Sequence, residues 1–448
     1  MEKHRQLLNR LLHKFWGDYI QTNELHKMNN QSGSGSYKQI AYLSSYPPRE
    51  CGIATFTKDL IDTIEELYGF NPSVLAINQK GAIYDYENRV KIQIKREYKV
   101  NYIQAAQYIN SSNIDLVNIQ HEFGLFGGEG GEYIKFFFET LKKPVVTTLH
   151  TVLPDFNPKA LEVLKCITEA SASTIVISYS AIEMLKNQGI NCRNINVIPH
   201  GCPNIEFVDT EQAKITLGLK NRLVASTFGL ISSSKGIEYA IRALSHVVKK
   251  EPRMLYLIIG QTHPEVIKQE GEKYRNSLQQ LVSELGLESN VRFINRFLSK
   301  HELIKYLQGT DIYLTPYISP YQISSGTLTY AAGAGKAIVS TPYFHAQDIL
   351  ANNRGVFCKF KDSISLAEGI IELSNAKVRK AMQKRIYKYG RRFVWANIAQ
   401  EYVNLFNRII KIDSVFGAAP DVSSNECTID QIEGKGKCFS PQPLLESI

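Results

Sequence analysis

The sequence predicts an α/β protein built from two doubly wound domains, each a parallel sheet covered by helices, facing one another across a central cleft. Three observations carry this. At 448 residues the chain exceeds what one core ordinarily holds. Short runs rich in Val, Ile and Leu alternate with helix-length amphipathic segments, in two successive series. Loops rich in glycine, hydroxyl and histidine residues follow those runs at their carboxyl ends, where open α/β sheets hold ligands.

Composition narrows the class. A chain 44% hydrophobic and 21% charged folds rather than staying disordered. No apolar run approaches the roughly 18 residues that a membrane-spanning helix needs, and the leucines near the N-terminus are interleaved with charge, unlike a signal peptide. The seven cysteines are scattered with no CxxC pair, so reduced thiols are expected and a zinc site is not. A cytoplasmic protein follows. The net charge of +9 suits anionic small ligands or an anionic membrane surface. It is not gathered into an aromatic-bearing stripe, so no nucleic acid is expected as partner.

Residues 1–27 place Leu7, Leu8, Leu11, Leu12, Phe15 and Trp16 at helical spacing among basic residues. Such a helix packs on the body of the protein or on a second copy, or lies peripherally on a membrane. The run NNQSGSGS closes this segment, 1–36, as a flexible linker. From 37 to 205 the first domain is expected. Its strands are Ile40–Leu43, Ser73–Ile77, Ile114–Ile119, Val145–Leu149, Thr174–Ile177 and Asn196–Ile198, and its helices are Thr57–Leu67 and segments near 102–110, 132–141, 158–169 and 180–188. Pro203-Asn204 opens the change to a second domain, 206–389, with strands Leu223–Phe228, Leu255–Ile259, Val291–Ile294, Ile312–Leu314 and Ala337–Ser340. One long basic amphipathic helical stretch, Ala376–Ile410, follows. A polar, aperiodic tail, 412–448, reads as disordered.

The segment Asp311–Leu350 organises the second series. A strand stops at Pro316, the loop Ser324-Ser325-Gly326-Thr327 supplies hydroxyls, and a small-residue helix starts there. Free first-turn amides and the positive end of the helix dipole then converge on an anion. In the first domain, Gly52 lies in the turn YPPRECGIA before a helix, where backbone amides can close on a phosphate or sugar; its alternative is a plain tight turn. His121 and His150 end two parallel strands and face the same cleft, able to donate to a sugar hydroxyl or a developing charge. His200-Gly201 is a further strand-end pair. Lys235, directly before a helix, suits a diphosphate, and Arg296 is a second cationic candidate.

In their order and spacing, YPPRECGIATFT, QHEFG, TTLHT, VIPHG, FGL…SKG, TDIYLTPY and GAGKAIVSTP resemble the retaining glycosyltransferases of family 4, of GT-B fold, over about Gln39 to Ile410. The resemblance implies two Rossmann-like domains with a nucleotide-sugar donor between them. It also implies a last helix, 390–411, that crosses back to complete the first domain. A carbohydrate or other hydroxyl acceptor is expected, and no metal or other cofactor. By matching motifs, Gly52 is similar to the glycine loop near the donor phosphates, His150 to the active-site histidine and Lys235 to the phosphate-binding lysine. Two departures stand out. Leu230 occupies the position of a usual arginine, and the paired glutamates fall at Gln322 and Tyr330. Ser324–Thr327 and Arg296 are the expected substitutes. The function expected is transfer of a sugar from a nucleotide diphosphate to a hydroxyl with retention. The alternatives are a phosphate-dependent glycoside phosphorylase and a non-catalytic nucleotide-sugar-binding scaffold.

Overall fold

A computed structural model describes residues 38–416, with side chains through residue 413. The expected N-terminal helix and linker, and the chain beyond 416, lie outside the described residues. Seven parallel strands form the first sheet: β1 (Gln39–Ser44), β2 (Asn71–Asn78), β3 (Val90–Lys95), β4 (Leu116–His121), β5 (Val145–Leu149), β6 (Ser173–Val176) and β7 (Ile195–Val197), in the order β3-β2-β1-β4-β5-β6-β7. The second sheet contains β8 (Leu223–Phe228), β9 (Met254–Ile259), β10 (Val291–Ile294), β11 (Ile312–Thr315), β12 (Ala337–Ser340) and β13 (Val356–Phe357), in the order β10-β9-β8-β11-β12-β13. Both are Rossmann-like, as expected. In each, chain direction across the sheet reverses beside the first strand, between β1 and β4 and between β8 and β11. The crevice beyond the carboxyl ends at such a reversal is where ligands sit.

The central strands are buried on both faces. Every residue of β4, β5, β8, β9, β11 and β12 is buried, which is why these strands read as continuous apolar runs. The strand missed in the sequence, β3 (VKIQIK), is an edge strand with a single buried residue, Ile94, so its lysines mask the pattern. At two residues, β13 is too short to leave a signal.

The stretch expected as one helix from Ala376 to Ile410 is two, Ala376–Gly390 and Trp395–Phe416, the second running past residue 411. The break has a specific cause. Cys202 N–H donates to Phe393 O at 2.7 Å and Trp395 N–H donates to Cys202 O at 2.9 Å, which removes both groups from a helical ladder. The two chain segments that cross between the domains are therefore paired to each other. The last helix then packs on the first domain, where Trp395, Ile398, Tyr402 and Phe406 share a core with Tyr42, Phe56 and Leu60.

Candidate active site

A cleft of about 840 Å³ lies between the carboxyl ends of the two sheets. From the first domain its wall takes the loop after β1, the start of the helix Gly52–Tyr68, and the residues after β4 and β5. From the second it takes the loops after β8, β9, β10 and β11. Gly52, His150, Lys235, Gln322, Ser324, Ser325, Gly326, Thr327 and Tyr330 all line it.

Two sequence-predicted residues do not. His121 is fully buried, clamped between Phe123 (4.8 Å, edge-on) and Phe126 (5.3 Å, stacked). As the last residue of β4 its side chain takes the sheet face that packs into the core, so it belongs under the cleft wall. Arg296 turns away, and its Nη2 is held by Glu302 Oε1 at 2.7 Å on the exposed surface. The carboxylate at the start of the helix Lys300–Gly309 captures it before it can reach the cleft. Phe297 and Leu298 line the cleft in its place.

The second-domain wall is a cluster of hydroxyls around one ammonium. Lys235 Nζ donates to Tyr317 Oη at 3.1 Å and lies 4.8 Å from the centre of the same ring. Tyr317 Oη is 3.1 Å from Thr327 Oγ1 and 3.5 Å from Ser325 Oγ. Burial pushes the Tyr317 hydroxyl up, but the Lys235 charge and hydrogen bonds from Ser325, Thr327 and Lys235 outweigh this and bring it to about 8. Ser325 caps the helix Gly326–Gly333, accepting from Leu328 N–H at 3.3 Å. Its own N–H donates to buried His345 Nδ1 at 2.9 Å, which pins the loop from behind. The first-turn amides of Gly326 and Thr327 have no partner within the helix. Gly229 closes this wall at φ +118°, where a Cβ would meet Thr327 Cγ2 at 3.1 Å and Lys235 Nζ at 3.6 Å.

Across the cleft, the helix Gly52–Tyr68 starts at Gly52 itself, five residues before the expected Thr57, and Cys51 makes no side-chain cap to its first amides. A Cβ at Gly52 would meet nothing within 4 Å, so the helix end opens onto the cleft. His150 is oriented by a buried amide relay. Asn118 Nδ2 donates to Val146 O, Gln120 Nε2 donates to Asn118 Oδ1 at 2.6 Å, and Gln120 Oε1 is left to accept from His150 Nε2–H at 2.8 Å. Nδ1 of His150 is thereby the bare nitrogen. Burial pushes the ring down to about 3, helped by the neighbouring rings of His200 and His121, so it is neutral. His200 also lines the cleft; its Nδ1–H donates to Gly201 O at 2.7 Å, and burial takes it to about 4. Glu122 lines the cleft beside His150 and accepts from Thr151 Oγ1. Burial raises this carboxyl, against the lowering effect of Thr151 and the amides of Phe123 and Gly124.

Of the two positions where the paired glutamates are usual, Gln322 donates its amide to the Ser324 carbonyl. Tyr330 donates to Asp59 Oδ2 of the first domain at 3.0 Å, and Asp59 also receives Lys300. The residue that sequence reasoning passed over is Tyr317. Among the described residues no group of three or more His, Cys, Asp or Glu side chains could hold a metal ion, and no helix is long and apolar enough to cross a membrane.

This geometry agrees with what the chain resembles. Residues 209–393, the second domain, match the family model of glycosyl transferases group 1. None of the curated proteins matches the chain. Among solved structures, sucrose-phosphate synthase from Thermosynechococcus elongatus superposes with a TM-score of 0.70 at 16% identity, over 84% of this chain and 100% of that one. HepE of Anabaena, in complex with UDP and glucose, gives 0.67 at 16% identity over 83% and 100%. A glycosyltransferase from Rickettsia africae ESF-5 gives 0.66 at 16% identity over 84% and 100%. At such identity the likeness is one of fold, and that fold is the two-domain GT-B architecture. The second domain carries the group 1 glycosyltransferase pattern within it.

Proposed function

We propose that the protein is a glycosyltransferase that moves a sugar from a nucleotide-diphosphate donor to a hydroxyl acceptor with retention of configuration. The observation that carries the reading is the second-domain anion cradle: the Lys235 ammonium, three hydroxyls and the open start of the helix Gly326–Gly333, together on one wall of the cleft. A leaving diphosphate gains negative charge as the glycosidic bond breaks, and preorganised donors at that point stabilise the transition state more than the ground state. Ile259, Phe297, Leu298 and Leu303 offer an apolar wall for a base on the same side. In this reading His150, neutral and fixed by Gln120, offers Nδ1 to the transferred sugar. With Leu230 in the place of a usual arginine and Arg296 paired to Glu302, Lys235 carries the cationic role on this wall.

Retention follows if the acceptor hydroxyl approaches the face that the diphosphate leaves, with a phosphate oxygen taking its proton. Proton NMR of the product reads this directly. The expected product keeps the donor's anomeric configuration, whereas an inverted product would assign proton removal to a protein base, with Glu122, which lines the first-domain wall, a candidate.

A further inference from the structure

A second cavity, of about 490 Å³, opens off the cleft and shares Arg96 and Gly124 with it. It lies wholly in the first domain. Its walls are the cationic side chains of Lys80 and Arg96, the carboxylate of Glu97, the rings of Phe123 and Tyr133, and the backbone of the glycine-rich loop that follows QHEFG. We propose that this cavity is a distal acceptor subsite that binds the second unit of an oligosaccharide, so that the acceptor is at least two sugars long. The proposal rests on the transferase reading and names its acceptor class.

Four observations carry it. The loop wall is built rather than slack: Gly127 N–H donates to Tyr102 Oη at 3.0 Å and Tyr133 N–H donates to Gly127 O at 3.0 Å. Glycine is required there. A Cβ at Gly127 would lie 1.8 Å from Arg96 O, and one at Gly128, which has φ +81°, would lie 2.6 Å from the Tyr133 ring. Glu97 Oε2 is buried with no hydrogen-bond partner, which is costly unless a ligand donor reaches it. The charges are of mixed sign, so an anion drawn to Lys80 and Arg96 would meet Glu97. A neutral polyol can instead donate to the carboxylate and accept from the cations, with its C–H faces against Phe123 and Tyr133. Buried His121, unused by the chemistry of the cleft, packs directly against Phe123 and Phe126, both wall residues, and so backs this wall from the core side.

The test is saccharide binding by the full chain, measured calorimetrically with and without UDP. The probes are methyl glucoside, mannoside and galactoside, each beside its homologous disaccharides. We expect at least one disaccharide to bind about 10-fold more tightly than its monosaccharide, and Glu97→Gln and Lys80→Ala each to remove most of that advantage. Lys80 is exposed, so its variant folds whatever the fate of the other. Disaccharides that bind no better than monosaccharides, or an advantage unchanged in both variants, overturn the subsite. Because saccharide binding needs no donor, a chain that binds disaccharides but no nucleotide sugar would keep the subsite and lose the transferase reading; the converse would lose only the subsite.

Discussion

Tyr317 and Lys235 form a couple whose charge state sets what the cleft can hold. With the phenol near 8 and the ammonium 3.1 Å away, the pair is net positive at neutral pH. As pH rises through about 8 the phenol ionises, cancels the lysine and sets a negative charge against an incoming diphosphate. The neighbouring Tyr343, stacked on Tyr317 at 4.9 Å, is driven up by burial and then by the charge that Tyr317 gains on ionising. Donor-dependent activity is therefore expected to fall above pH 8 in the native protein. Tyr317→Phe should remove that alkaline limb while weakening donor binding by about 0.5–1.5 kcal/mol, roughly 2- to 12-fold. A pH–rate profile of both proteins checks it; an alkaline limb retained in the variant would assign the titration elsewhere. At this scale the sequence was partly legible. Lys235, His150 and Ser324–Thr327 announce themselves by chemistry at strand ends. Tyr317 does not, because an aromatic after an apolar strand reads as core until the lysine is seen beside it. Arg296 and His121 read as ligand contacts for the opposite reason: nothing in their spacing reveals Glu302 or the two phenylalanines that claim them.

At the level of elements, legibility follows burial. Strands enclosed on both faces show as apolar runs, and β5, β8 and β12 fall where the pattern puts them. The edge strand β3 does not show, since a half-exposed strand tolerates VKIQIK. The helix Gly52–Tyr68 begins earlier than its periodicity suggests because Gly52, Ile53 and Thr55 of its first turn line the cleft, which is what makes it useful as an anion-facing end. The interruption at Arg391–Val394 was invisible for another reason. No proline or glycine marks it beyond Gly390, and it is imposed by Cys202, a residue nearly two hundred positions away that takes the backbone groups of Phe393 and Trp395.

Over the whole molecule, the two domains meet through polar contacts that no local pattern contains. Asp59 of the first domain is buried and receives Tyr330 and Lys300 of the second. Gln261 donates to Glu50, and Gln79 donates to Glu265 at 3.1 Å. Tyr330, standing where one of the paired glutamates is usual in the resembled family, is thus committed to holding the cleft together. Asp59→Ala leaves the buried Tyr330 hydroxyl without an acceptor, a loss of about 1–3 kcal/mol. We expect a lower Tm and, by small-angle scattering, a larger radius of gyration as the cleft opens. An unchanged radius together with an unchanged Tm would remove the clasp from the account.

The central claim is that the hydroxyl-and-lysine wall binds a nucleotide diphosphate. Calorimetric titration of UDP-, GDP- and ADP-sugars into the native protein and Lys235→Ala tests it most directly. At least one of these donors is expected to bind the native chain, and the variant to lose a charge-assisted contact of about 1.5–3 kcal/mol, roughly 10- to 150-fold in affinity. Binding by none of them, or equal affinity in the two proteins, would contradict it.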